Sequence, residues 1–160
     1  MGKNFCLVKC DLDEEWDLFI NSSPDLSVYI TKGFLESITT PLGLYKCFKG
    51  QELRAVLILG EDKGGKNVLI PEFLIYSGIC FGKPTNNQNT AQQISERYEL
   101  TEFIITKLTQ LYDSITLLLS PSINDIRPFQ WHNYGKKNDR CVVDVRFTTY
   151  LNIEDINNSN

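Results

Sequence analysis

Leu117-Leu118-Leu119-Ser120-Pro121-Ser122-Ile123-Asn124-Asp125-Ile126-Arg127-Pro128-Phe129-Gln130-Trp131-His132-Asn133-Tyr134-Gly135 joins an apolar, strand-like run to a short polar and aromatic segment. The second part puts an arginine, large aromatic rings and the chain's only histidine within eight positions. Ser122 followed three residues later by Asp125 has the spacing of a helix capping box, so a short helix is expected next. A strand entering a short helix fixes one corner of a domain. The surrounding chain decides which domain.

Before it, Thr90 and Gln93 have capping-box spacing, and Ile94, Tyr98, Ile105, Leu108 and Tyr112 recur at helical intervals. A long amphipathic helix is expected there, followed by a strand over 114–119. Further upstream lie three β-rich runs, 44–48, 53–59 and 68–81, joined by short glycine-containing connections that favour antiparallel hairpins. The chain begins with a strand over 5–10. Asp13 then offers a cap to a helix that carries Trp16, Phe19 and Ile20 on one side, and Phe34, Leu35 and Ile38 suggest a second helix over 31–39. After the quoted stretch, residues 142–151 read as a last long strand, and 153–160 as a polar tail or the start of a linker. The expected fold class is α+β (mixed α/β), a largely antiparallel sheet flanked by helices, in one domain over residues 1–152.

A chain of 160 residues buries roughly 68–70% of its unfolded surface and can build a core without staples. Five cysteines, Cys6, Cys10, Cys47, Cys80 and Cys141, are an odd number placed mostly in apolar runs, which argues against a disulfide framework. His132 stands alone and no Cys/His spacing fits zinc, so no metal is expected. A net charge of −4 gives no electrostatic footprint for DNA. With no run of about 18 apolar residues, no transmembrane segment is expected, and the opening residues lack the apolar centre of a secretory signal. The expected compartment is the cytoplasm. Gly64-Gly65-Lys66 lacks the phosphate-loop spacing and reads as a hairpin turn, and Ser120-Pro121-Ser122 lacks a nucleophile elbow.

Four pieces resemble the FemAB-like branch of the GNAT superfamily, which includes enzymes that add amino acids to peptidoglycan precursors. They are Trp16 to Pro24, Ser27-Val28-Tyr29 with Gly33 to Ser37, Arg127 to Trp131 with Asn133-Tyr134-Gly135, and Arg146 to Leu151. The resemblance implies a GNAT-type fold and the N-terminal half of an acyl- or aminoacyltransferase of cell-envelope or surface-polysaccharide biosynthesis. It implies a second GNAT-like domain, in cis or as a like subunit, and acyl-CoA or aminoacyl-tRNA as donor for the full-length protein. It also implies a small-molecule, glycan or peptide acceptor.

A catalytic GNAT domain cradles the coenzyme A pyrophosphate at a glycine-rich turn that opens its long helix, and here residues 89–97 contain no glycine. The expectation is an acceptor-side domain that binds no cofactor alone and whose catalytic residues are unassigned. Arg127 has the fork to hold an anion, or it pairs with Asp125 or Asp144. Trp131, Tyr134 and Tyr76 suit an amphipathic ligand, and His132 is the side chain able to exchange protons near neutrality. Phe129 is expected in the core. Two other readings stand beside the leading one: a complete, self-associating binding module, and a stand-alone acetyltransferase with an atypical donor site.

Overall fold

The computed structural model describes residues 4–85, 87–136, 139–147 and 149. Its centre is strand β3, Glu52–Glu61, eight of whose ten residues are buried. Along it Ala55, Leu57 and Leu59 face one hydrophobic cluster, while Val56 and Ile58 face a second. Both faces of a strand are covered only when helices pack on each side of the sheet, and such a strand reads as continuously apolar.

Strand β1, Phe5–Lys9, pairs antiparallel with β2, Leu42–Lys49, and β2 pairs antiparallel with β3. The expected run over 68–81 is two strands rather than one. β4, Asn67–Leu69, and β5, Gly78–Phe81, both pair with β3, through Gly60 to Leu69 and Ile58 to Gly78. The eight intervening residues leave that edge and return to it. Pro71, which has no N–H to donate, packs so close over Gly60 that a side chain there would collide with its ring. Leu74 anchors the excursion in the core, while Phe73 at its tip is exposed with a left-handed backbone, φ 68°.

Helix α1, Glu14–Ser22, is capped as expected: Asp13 accepts from the Trp16 N–H at 2.8 Å. Its buried Trp16, Phe19 and Ile20 lie against Val56, Ile58 and Cys80, each worth roughly 1.5–3 kcal/mol of burial. The second helix is shorter than expected, a 3₁₀ turn Val28–Ile30 and the four-residue α2, Lys32–Leu35. Gly33 and the β-branched run after Ser37 weaken a longer helix. Trp16 Nε1 donates to the Ile30 carbonyl at 3.1 Å, which ties this turn to α1.

Helix α3, Thr90–Leu111, covers the other face. Asn89, one residue before the expected Thr90, is its cap and forms the box with Gln92. The stripe that reaches the core is Glu96, Leu100, Ile104, Leu108 and then Tyr112, with Ile94 left exposed. After α3, β6, Ser114–Ile115, pairs with β4 in parallel, the connection that a crossover helix permits. Bonds from Thr116 N–H to Val68 and from Ser77 N–H to Leu118 carry this alignment on. The fold is α+β, with helices on both faces of a mostly antiparallel sheet.

The last element is α4, Arg127–Trp131, with Pro128 and Phe129 buried as anchors. Its cap position is Ile126, with no side-chain cap bond, so the expected Ser122–Asp125 box does not form; Ser122 Oγ bonds Ser120 Oγ instead. The expected strand over 142–151 is also corrected. Its described residues, 142–147 and 149, form no strand, because alternation supplies propensity but no partner strand. Residues 148, 150 and 151 of that expectation, and the 153–160 tail, lie outside the described residues.

Candidate functional site

The sequence assigns five residues to a ligand surface, and the structure divides them between the two faces of the sheet. Arg127, Trp131, His132 and Tyr134 share the α4 corner on the α3 side. There the Arg127 guanidinium donates twice to Asp125, Nε at 2.8 Å and Nη2 at 2.6 Å. It also lies over the Tyr98 and Trp131 rings, at 5.5 and 5.9 Å from their centroids. Tyr98 meets Trp131 edge to face at 6.1 Å.

The first alternative for Arg127, an ion pair with Asp125, is therefore present. The pair holds the Asp125 carboxyl below its usual range and raises the guanidinium. An incoming anion would compete with Asp125 for the fork. Phe129 is buried, whereas Trp131 and Tyr134 are 56% and 84% exposed. His132 is half-buried, with Nε2 3.2 Å from Asn133 Nδ2. No carboxylate stands beside it among the described hydrogen bonds, so the geometry names no proton relay.

Tyr76 is on the opposite face, edge-on to Tyr29 at 5.9 Å. It lines a shallow recess with Ser27, Ser77, Gly78, Ile79 and Ser120. Among the described residues β5 pairs with β3 alone, and the recess opens on its outer side. Two side chains from the turn after α1 serve that edge: Ser23 Oγ donates to the Phe81 carbonyl at 2.7 Å, and Asp25 accepts from the Phe81 N–H at 3.0 Å. At the other end Ser77 N–H donates to the Leu118 carbonyl. Antiparallel alternation turns the Ile79 N–H and carbonyl to the same side as those of Phe81 and Ser77, towards the recess.

The start of α3 carries a third arrangement. The Asn89–Gln92 box takes the Asn89 and Gln92 amides. One turn further, the Glu96 carboxylate accepts from Arg54 Nε at 2.6 Å, Lys49 Nζ at 2.8 Å and Gln88 Nε2 at 2.6 Å. Burial raises its pKa, but Lys49 and Arg54 outweigh burial and hold the carboxyl below its ordinary range. The Glu96 charge is therefore neutralised by its two cationic partners and is part of the contact between helix and sheet.

No protein-family model, no curated protein and no solved structure matches the chain. Two polar clusters carried no motif. In one, Lys46, 5% exposed, reaches Asp13 and Glu15 at 2.6 Å each. In the other, Glu61 accepts from the Tyr112 hydroxyl and from Lys9, and Tyr112 shares a 2.7 Å bond with Tyr45. A charged residue inside or closing an apolar strand is the signal that could have located both. Every buried polar side-chain atom among the described residues has a partner, so these clusters hold the fold together. Among the described residues no group of three His, Cys, Asp or Glu is arranged to hold a metal, and no helix is long and apolar enough to cross a membrane.

Proposed function

We propose that this chain is a GNAT-type domain of a FemAB-like acyl- or aminoacyltransferase and supplies acceptor-side surface rather than donor chemistry. The observation that carries the reading is the β4–β6 pair, a parallel pairing across a 22-residue helix in a sheet whose other pairings among the described residues are antiparallel. The order of elements from β1 to α4 follows the expected one except that four strands, β2 to β5, stand where three were expected before the long helix. Fold leaves chemistry open, so the acceptor-side assignment rests on local geometry. The start of α3 has no glycine to let a pyrophosphate approach its backbone closely, which disfavours coenzyme A there. The exposed rings at α4 instead suit an amphipathic peptide or glycan-linked peptide, and the outward backbone of β5, beside the recess on the opposite face, is a separate place for an extended one. In the complete enzyme a second GNAT-like domain, in cis or from a like subunit, would bind acyl-CoA or aminoacyl-tRNA.

The test is an amide and indole NMR titration of this chain with a peptidoglycan stem peptide and, separately, with acetyl-CoA. The expected result is displacement of the Trp131 indole and Ile79 amide signals by the peptide, with the Gln92 and Gln93 amides unmoved by acetyl-CoA. Saturable acetyl-CoA shifts at Gln92 and Gln93, with none at Trp131 or Ile79 from the peptide, would overturn the assignment.

A further inference from the structure

Residues 143–147, Val-Asp-Val-Arg-Phe, alternate strictly between apolar and charged, the pattern of a strand covered on one face. Yet no described backbone hydrogen bond joins residues 140–147 to the sheet. Cys141 packs against the α3-side core and tethers the segment. Beyond it Val142, Val145 and Phe147 are 86%, 66% and 95% exposed. Asp144 and Arg146, two apart and on one side of such a strand, are also exposed and make an ion pair at 3.3 Å.

We propose that this segment pairs with the same segment of a second copy, as a two-stranded antiparallel ribbon across a twofold axis. The sequence selects the register. With Val145 opposite its own counterpart, Asp144 of each copy faces Arg146 of the other, twice, and Val143 faces Phe147, twice. Moving the axis by one residue to Asp144 or Arg146 puts like charges opposite each other, and axes between residues put charged side chains opposite apolar ones. A twofold interface must be self-complementary, and this stretch is so about one residue. The ribbon has an apolar face of six side chains, Val143, Val145 and Phe147 from each copy, and a polar face of four alternating charges. It also satisfies backbone groups that are otherwise open to aggregation. The inference does not rest on the transferase reading, since no donor or acceptor enters it.

The experiment is sedimentation equilibrium of the chain and of three variants, Asp144→Arg, Arg146→Asp and the double reversal. Circular dichroism checks that each is folded, which these exposed positions favour. The wild type is expected to dimerise with concentration. Each single reversal turns two cross-strand attractions into two repulsions and should weaken the dimer roughly tenfold, while the double reversal restores it. Added salt should weaken the wild-type dimer. A wild type that stays monomeric to about 1 mM, a dimer indifferent to the single reversals, or a double variant as weak as the singles would each overturn the proposal.

Discussion

Arg54 on β3 and Glu96 on α3 meet at 2.6 Å with each side chain less than a tenth exposed, so the contact that binds helix to sheet at this end is ionic. Glu96 occupies the position on the buried stripe that Leu100, Ile104 and Leu108 fill further along. Glu96→Ala would leave the Arg54 guanidinium buried with Glu52 and the Lys83 carbonyl as remaining partners, a loss of roughly 3 kcal/mol measured by urea unfolding. The pH dependence has a fixed sign. The folded carboxyl titrates below its ordinary value of 4.5, so the stabilisation is whole above 4.5 and is lost as pH falls through the lower folded value. Glu96→Gln should flatten the urea midpoint over that acid range, and an unchanged slope would count against the role.

Lys46 and Asp13 share a 2.6 Å bond but are not equally necessary. Burial lowers the Lys46 pKa, and its bonds to Asp13 and Glu15 more than offset that, for a net rise. Lys46→Met removes the buried cation and leaves two half-exposed carboxylates that water can solvate, so stability should change by no more than about 1 kcal/mol. Asp13→Ala also removes the α1 cap and should cost about 1–2 kcal/mol. Thermal unfolding of the two variants gives the order directly. A Lys46→Met variant as damaged as Asp13→Ala would show that the cation itself supports the fold.

These clusters also show what the sequence carried. The apolar run in β3 and the Asp13 cap were legible because each is a local pattern with one structural solution. The break within 67–81 was not, since Val68 and Leu69 before the excursion and Ile79 to Phe81 after it satisfy the same edge of β3. Residues 142–147 misled for a related reason: alternation describes a face, and nothing local names the strand that will cover it. At the candidate site the closeness of Arg127, Trp131 and His132 follows from adjacency, and Asp125 was one of two foreseeable partners. The separation of Tyr76 depends on which sheet face receives its excursion, which is a tertiary outcome.

Tyr112 closes a relay from Tyr45 to Glu61, over which Gly43 leaves room for the carboxylate by having no side chain. Tyr112→Phe leaves the Tyr45 hydroxyl without this partner and Glu61 with Lys9 alone, at a cost of about 1–3 kcal/mol. Burial, then Glu61, pushes the Tyr112 hydroxyl far above the ordinary tyrosine range. The number of tyrosines ionising before alkaline unfolding, followed by absorbance, should therefore be the same in wild type and Tyr112→Phe. One fewer in the variant would show that Tyr112 titrates in the native protein.

The cysteines should divide by access. Cys6 is exposed, Cys10 and Cys141 are half-buried, and Cys47 and Cys80 are buried with thiols pushed up to about 12 by desolvation. Because the thiolate is the reacting form, a disulfide reagent at neutral pH should modify Cys6 first and reach Cys47 and Cys80 only on unfolding. Cys6→Ser should remove the fast phase. A fast phase that survives this substitution would place the accessible thiol elsewhere.

Arg127→Ala and Trp131→Ala separate recognition from folding at the α4 corner. Arg127 is half-exposed and paired with the acidic residue two positions before it, and Trp131 is more than half-exposed, so neither fills the core as Phe129 does. Both variants should keep the wild-type urea midpoint. If the corner receives an acceptor, both should weaken stem-peptide binding several-fold, and Arg127→Lys should weaken it too, because an ammonium cannot reproduce the flat fork that lies against Tyr98 and Trp131. Phe129→Ala is the contrast, with a loss of about 3–5 kcal/mol of stability. A Trp131→Ala variant that binds as wild type, or unfolds like Phe129→Ala, would remove this corner from the acceptor surface.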